Sequence, residues 1–310
     1  MTARRLRAFV YALLLLASAL AHAKLSGMPA PRQIAPGVYA FIGTGDAVAP
    51  ANHGMVANNG FIVGTSGVTV IDTGPSYCYG RAMIEAICKV TPLPVQFVII
   101  THQAPEFVFG AAAFRDAGVP ILAHAKAAQL IRERCSICLA NLRKTLGEDE
   151  MAGSRVTVPD RTVNGTTQIE SGGRTLQLLH FGPASTPGDP TVLDTQTGVL
   201  FSGSIVSNGR IPELRNEQIP GWLAALENLH GLELKTVVPA FGAPLHGDGI
   251  MQTGVYLREL DASVKAAYQN GVGLTEAIHS VQVPAFRGYK LYAIAQPQNV
   301  QRIYLQLEKQ

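Results

Sequence analysis

Residues 97–102 read FVIITH, a run of apolar side chains that closes on a threonine and a histidine. A strand that is apolar throughout is buried on both faces, so the chain must supply a packing layer on either side of it. The flanking segments alternate in kind. GVYAFIG reads as a strand, and GFIVGTSGVTVIDTG reads as two strands joined at Thr65-Ser66-Gly67. Helical spacing follows from Tyr79 to Val90 and from Glu106 to Ala117. VPILAH is a further strand, and Ala125 to Leu146 is a long amphipathic helix.

The second half repeats this alternation. VTVPDRTVNGTTQIESGGRTLQLLHFG holds short strands separated by Asn-Gly and Gly-Gly turns, and PTVLDTQTGVLFSG reads as a hairpin. Ile219 to Leu229 is helical, LKTVVPAFG is a strand and loop, and the remainder is largely helical. Two strand groups, each followed by helices, predict an α/β (α+β) fold in which two sheets pack face to face with helices outside both.

The N-terminus carries a separate message. MTARRLRAFVYALLLLASALAHA has Arg4, Arg5 and Arg7, then a short apolar run, then Ala21-His22-Ala23, the pattern of a secretory signal peptide. The run is shorter than the roughly 20 apolar residues of a membrane span. Residues 1–23 are therefore expected to be cleaved, leaving 24–310 as a single domain with a helical C-terminal segment, periplasmic or secreted, with no membrane span. Of 25 Lys and Arg, three lie in the signal, so the mature chain balances 22 basic against 22 acidic residues. The pI of about 8.7 is thus partly an export signal. No basic run with interleaved aromatics occurs, which excludes nucleic acid as a partner.

Four cysteines remain: Cys78, Cys88, Cys135 and Cys138. An even count in an exported chain suggests disulfides. Cys135 and Cys138 have C-x-x-C spacing within a helical pattern. They are either a redox-active pair or a bland local feature, a structural disulfide or two reduced buried thiols.

Ordered landmarks then carry a family resemblance. Val70-Ile71-Asp72-Thr73-Gly74 is a strand ending in an Asp-Thr-Gly turn. Thr101-His102 and Gly110 bracket a segment of T-H-x-H-x-D-H-x-x-G length. Gly182-Pro183-Ala184-Ser185-Thr186-Pro187-Gly188-Asp189 matches G-x-x-H-T-x-G-D. Leu200 to Ser204 aligns with a strand ending in Gly-Asp, and Val238 to Gly242 with a P-G-H-G loop. In this order the landmarks resemble the metallo-β-lactamase superfamily, which implies a four-layer αββα sandwich. LYAIAQPQNVQRIYLQLE and CLANLRKTLGEDEMAG further resemble its quinoprotein relay system zinc metallohydrolases, exported proteins found alongside PQQ-dependent alcohol oxidation.

That resemblance implies one or two zinc ions held by a set of His and Asp side chains. The corresponding positions here are His102, Ala104, Glu106, Phe107, Ser185, Ser204 and Phe241. Only His102 keeps its identity, and Glu106 keeps a carboxylate on a longer arm. A catalytic zinc normally has three protein ligands and a water. No metal and no other cofactor is therefore expected, zinc entering only if a site is rebuilt from neighbours such as His124, His180, His246, Asp72 or Asp189.

Three functional readings remain open. The first is a non-catalytic binding or accessory protein for a small molecule or a periplasmic partner of quinoprotein metabolism. The second is a hydrolase of an ester, lactone or thioester using His102 and Glu106 as the acid–base pair. Within it, Ser185, Ser202 and Ser204 could sit near His102, but no G-x-S-x-G elbow marks an activated serine. The third is a thiol–disulfide protein using Cys135 and Cys138.

Overall fold

The computed structural model describes residues 28–214 and 219–309. The expected signal peptide lies outside them. Among the described residues, one sheet holds seven strands in sequential order: β1 (Arg32–Ala35), β2 (Val38–Phe41), β3 (Asn59–Val63), β4 (Val68–Ile71), β5 (Val95–Ile100), β6 (Ile121–His124) and β7 (Arg161–Val163). Its first four strands pair antiparallel and β4 to β7 pair parallel. The second sheet runs β12 (Thr236–Val238), β11 (Val199–Phe201), β10 (Thr191–Asp194), β9 (Arg174–Leu179), β8 (Thr167–Ser171), with only β11 and β12 parallel.

Eight helices accompany them among the described residues: α1 (Tyr77–Val90), α2 (Pro105–Val108), α3 (Ala111–Asp116), α4 (Ala125–Leu146), α5 (Ile219–His230), α6 (Met251–Gln269), α7 (Leu274–Ser280) and α8 (Tyr292–Leu307). The packing gives four layers. Val38, Ile62, Ile71 and Ile99 of the first sheet meet Leu176, Val192, Val199 and Phe201 of the second in a core between the sheets. The outer face of the first sheet packs on α1 to α4, and that of the second on α5 to α8. The end of β5 shows why its last residues are apolar in succession: Ile99 enters the inter-sheet core while Val98 and Ile100 enter the helix-facing one. None of the described helices is long and apolar enough to cross a membrane.

Two elements beside the same corner depart from the sequence reading. The strand expected to reach residue 102 stops at Ile100, because the Asp72 carboxylate captures the next peptide. Asp72 Oδ1 accepts from Thr101 N at 2.8 Å, and Oδ2 accepts from Thr101 Oγ1 at 2.6 Å.

The helix expected over Glu106–Ala117 is broken into α2 and α3. The Phe107 carbonyl, instead of propagating the helix, accepts from Thr73 N at 2.8 Å and from Thr73 Oγ1 at 2.9 Å. Gly110 then donates to the Gly74 carbonyl at 3.1 Å. A Cβ on Gly110 would lie 1.9 Å from the Thr73 carbonyl oxygen, so the backbones approach as closely as they do only because that side chain is missing.

Candidate functional site

The segments bearing the motif residues emerge at one end of the sandwich. His102 follows β5, the 182–189 loop joins β9 to β10, Ser204 lies in a short 3-10 turn after β11, and Phe241 follows β12. All seven positions marked by the motifs, His102, Ala104, Glu106, Phe107, Ser185, Ser204 and Phe241, line a single cavity of about 290 Å³. Positions up to 139 residues apart in sequence thus meet in one place.

His102 is fixed from behind. Its Nδ1 lies 2.9 Å from Asp189 Oδ1 and 2.9 Å from Ser204 Oγ. Ser185 Oγ donates to Asp189 Oδ2 at 2.9 Å and stands 2.6 Å from Ser204 Oγ. Thr186 also donates to Asp189, through both its backbone N–H and its hydroxyl. With Asp189 as a carboxylate, which only accepts, the protons have one consistent arrangement. Nδ1–H is shared between Asp189 and Ser204, Ser204 donates to Ser185, and Ser185 donates to Asp189. Nε2 makes no hydrogen bond among the described residues and belongs to a side chain that lines the cavity.

This network bears on two of the sequence readings. His102 is tied to Asp189 and Ser204, and Glu106 makes no hydrogen bond or ion pair among the described residues; the two are held in one cavity without being partnered. A serine relay is also not built. Ser204 and Asp189 address the same ring nitrogen, whereas a relay needs them on opposite nitrogens so that the ring can pass a proton. Ser202 turns away and bonds the Gly203 and Val238 carbonyls at 3.2 and 3.3 Å.

Aromatic rings occupy the rest of the floor. Phe107 meets His102 edge to face at 5.5 Å and Phe241 at 6.1 Å. Arg210, itself buried, lies 3.7 Å from the centroid of the Phe241 ring and pairs with Glu213 at 2.7 Å. The sequence reading missed Arg210 and Glu213. A loop arginine ordinarily points to water, and what holds this one is backbone pairing of residues 209–211 with Lys290, a contact no local pattern announces.

The other candidate ligands lie elsewhere. His124 and His180 stack on one another at 4.0 Å, with burial and then the neighbouring His180 charge pulling the His124 pKa down. His246 is exposed and 3.5 Å from Asp248. Asp72 is spent on Thr101, and burial pushes its pKa up to about 7 against the opposing pull of those hydrogen bonds.

Zinc can be tested against this donor set. At the seven motif positions, one open imidazole nitrogen and one carboxylate, beside two phenyl rings and two hydroxyls already bonded to one another, do not supply the three or four donors that zinc requires. Among the described residues, no three His, Cys, Asp or Glu side chains form a group able to hold a metal ion.

The profile of the metallo-beta-lactamase superfamily matches residues 52–240, more than half of the chain. The chain belongs to this superfamily. Among curated relatives, it is 25% identical over 197 residues to the metallo-beta-lactamase type 2 of Bacillus sp. (strain 170), covering 62% of this chain and 69% of that one. It is 22% identical over 214 residues to the linear primary-alkylsulfatase of Pseudomonas sp. (strain ATCC 19151), covering 58% of this chain and 40% of that one.

Solved structures share the fold. A metallo-beta-lactamase from Pontibacter korlensis superposes with a TM-score of 0.59 at 21% identity, over 73% of this chain and 97% of that one. The inverting sec-alkylsulfatase Pisa1 from Pseudomonas sp. superposes with a TM-score of 0.67 at 18% identity, over 90% of this chain and 50% of that one.

Proposed function

We propose that this member of the superfamily is an exported, metal-independent binding protein, whose cavity at the strand ends takes a small molecule in quinoprotein-linked oxidation outside the cytoplasm. The observation that carries the reading is the contrast in one cavity between retained shape and absent donors. Of the seven positions where the resemblance implies zinc ligands, five carry a methyl group, two phenyl rings and two hydroxyls, although all seven line one cavity. About 290 Å³ lies at the lower end of the range for small-molecule pockets. Phe107 and Phe241 offer apolar contact, and His102 Nε2 and Glu106 offer polar contact. The export and quinoprotein elements rest on the signal-like N-terminus and on the resemblance of the 292–308 tail.

Elemental analysis of mature protein purified without chelators tests the metal-independent part. The expected zinc content is far below one per chain, and a stoichiometric value would overturn the proposal.

One observation favours a second reading, a metal-free hydrolase of an ester, lactone or thioester. His102 has a carboxylate on Nδ1 and an open Nε2, which is how an imidazole is oriented as a general base, and Glu106 stands in the same cavity as a general acid. A panel of such substrates should then show turnover that falls at least tenfold in His102→Ala; turnover unchanged by that substitution excludes this mechanism.

A further inference from the structure

Two thiols on the cavity wall play no part in the network behind His102. Cys135 is fully buried, with Sγ 3.4 Å from the Gln103 carbonyl, and Cys138 is partly buried one turn further along α4. Both line the cavity that holds His102 and Glu106. Neither is in a disulfide.

The helix decides what such a pair can hold. Residues three apart on a helix have Cβ atoms about 5–6 Å apart, whereas a disulfide needs about 3.5–4.5 Å. Both cysteines sit in the interior of a 22-residue helix, so a direct S–S bond has to draw regular backbone together. An ion placed between the sulfurs spans the gap without that distortion, since metal–thiolate bonds of about 2.3 Å hold two sulfurs roughly 4 Å apart. A redox-active C-x-x-C is a poorer fit. Such thiols sit at helix N-termini or beside cations, which lower the pKa; here the neighbouring Cys138, then burial, pushes the Cys135 thiol up.

The number of donors then selects the ion. Among the described residues, no third His, Cys, Asp or Glu joins the pair in a metal-binding group, so a four-coordinate ion such as zinc is unsuited. Thiolate softness favours monovalent copper, which accepts few ligands. We propose that Cys135 and Cys138 form a dithiol clamp for a soft monovalent metal ion, Cu(I), in the wall of the cavity. On binding, two S–H bonds break, two Cu–S bonds form, two protons pass to solvent and copper stays monovalent. This inference stands on the thiols alone and does not depend on what the cavity itself binds.

The test is an anaerobic titration of the reduced full chain with Cu(I) against a chromogenic Cu(I) chelator. One Cu(I) per chain is expected, with affinity rising with pH because protons are displaced. Affinity should fall at least tenfold in Cys138→Ser and in Cys135→Ser, and should be unchanged in the double variant Cys78→Ser/Cys88→Ser. Because Cys135 is buried and its replacement can unfold the chain, the partly buried Cys138 variant carries the decision. Failure of the wild-type chain to retain Cu(I), uptake unaffected by Cys138→Ser, or a native Cys135–Cys138 disulfide found by mass spectrometry of the unreduced protein would each overturn the clamp. Zinc content is read separately, so the clamp and the metal-independent reading of the strand-end cavity fail independently.

Discussion

The corner around Asp72, Thr73 and Gly110 and the cavity floor around His102 lie side by side, yet different physics holds them. The corner is made of backbone. Asp72 grips the Thr101 peptide, Thr73 grips the Phe107 carbonyl, and Gly110 presses against the Thr73 carbonyl with no room for a methyl group. The floor is made of side chains: an imidazole, two hydroxyls and two phenyl rings, in contact with one another and with the cavity. Residues that shape the corner answer to backbone sterics and to hydrogen bonds with neighbouring peptides, whatever chemistry the cavity performs. Residues on the floor answer to whatever the cavity holds. The Asp-Thr-Gly turn and Gly110 are therefore held by contacts separate from those that order the cavity floor.

The largest expected effect comes from the corner's buried carboxylate. Below about pH 3.8 Asp72 is protonated in both folded and unfolded chains and contributes nothing. Between there and about pH 7, the unfolded chain sheds its proton while the folded one retains it. Ionisation then favours unfolding, and stability falls by up to roughly 4 kcal/mol across that window and no further above it. Asp72→Asn accepts the same positive φ and keeps an acceptor for Thr101 N–H. Its unfolding free energy, measured in urea from pH 4 to 8, should gain on the wild type steadily as pH rises; a constant difference would show that Asp72 is ionised throughout.

Next in size is Gly110→Ala. A methyl 1.9 Å from a carbonyl oxygen forces two backbones apart, at a cost of about 3 kcal/mol or more. Chemical denaturation should show that loss, and a variant within 1 kcal/mol of wild type (about the cost of a routine mutation) would mean that the corner is soft.

The floor should be far more tolerant. Ser204→Ala removes one hydroxyl from the ring of hydrogen bonds but leaves His102 and Ser185 both bonded to Asp189. The expected loss is about 1 kcal/mol, with no change in fold by circular dichroism. A loss as large as that of Gly110→Ala would erase the distinction between corner and floor.

Much of the architecture was legible because it follows from periodicity. The Thr65-Ser66-Gly67 turn and the Ala125–Leu146 helix are each local patterns, and each appears where those patterns put it. The positions that converge on the cavity were legible only through the family resemblance, whose ordered glycine, proline and aspartate landmarks imply which residues stand at the strand ends.

What escaped the sequence was the pairing of side chains. That His102 is held by Asp189 from the opposite sheet could not be read from the sequence, because the 182–189 loop folds back over the end of β5. The break between α2 and α3 escaped for the same reason, since Thr73 lies far from Phe107 in sequence and competes for its carbonyl only once β4 and β5 are paired. Arg210 over Phe241 is a third case.

By itself, then, the sequence determined the layers, because short-range periodicity suffices for these, and its ordered landmarks carried the resemblance to the superfamily. Only the tertiary structure decided which acid orients His102, which ring nitrogen is left open, and that Cys135 and Cys138 share a cavity with it. Those are contacts between strand ends that no local pattern specifies, and they exist only when both sheets have closed against each other.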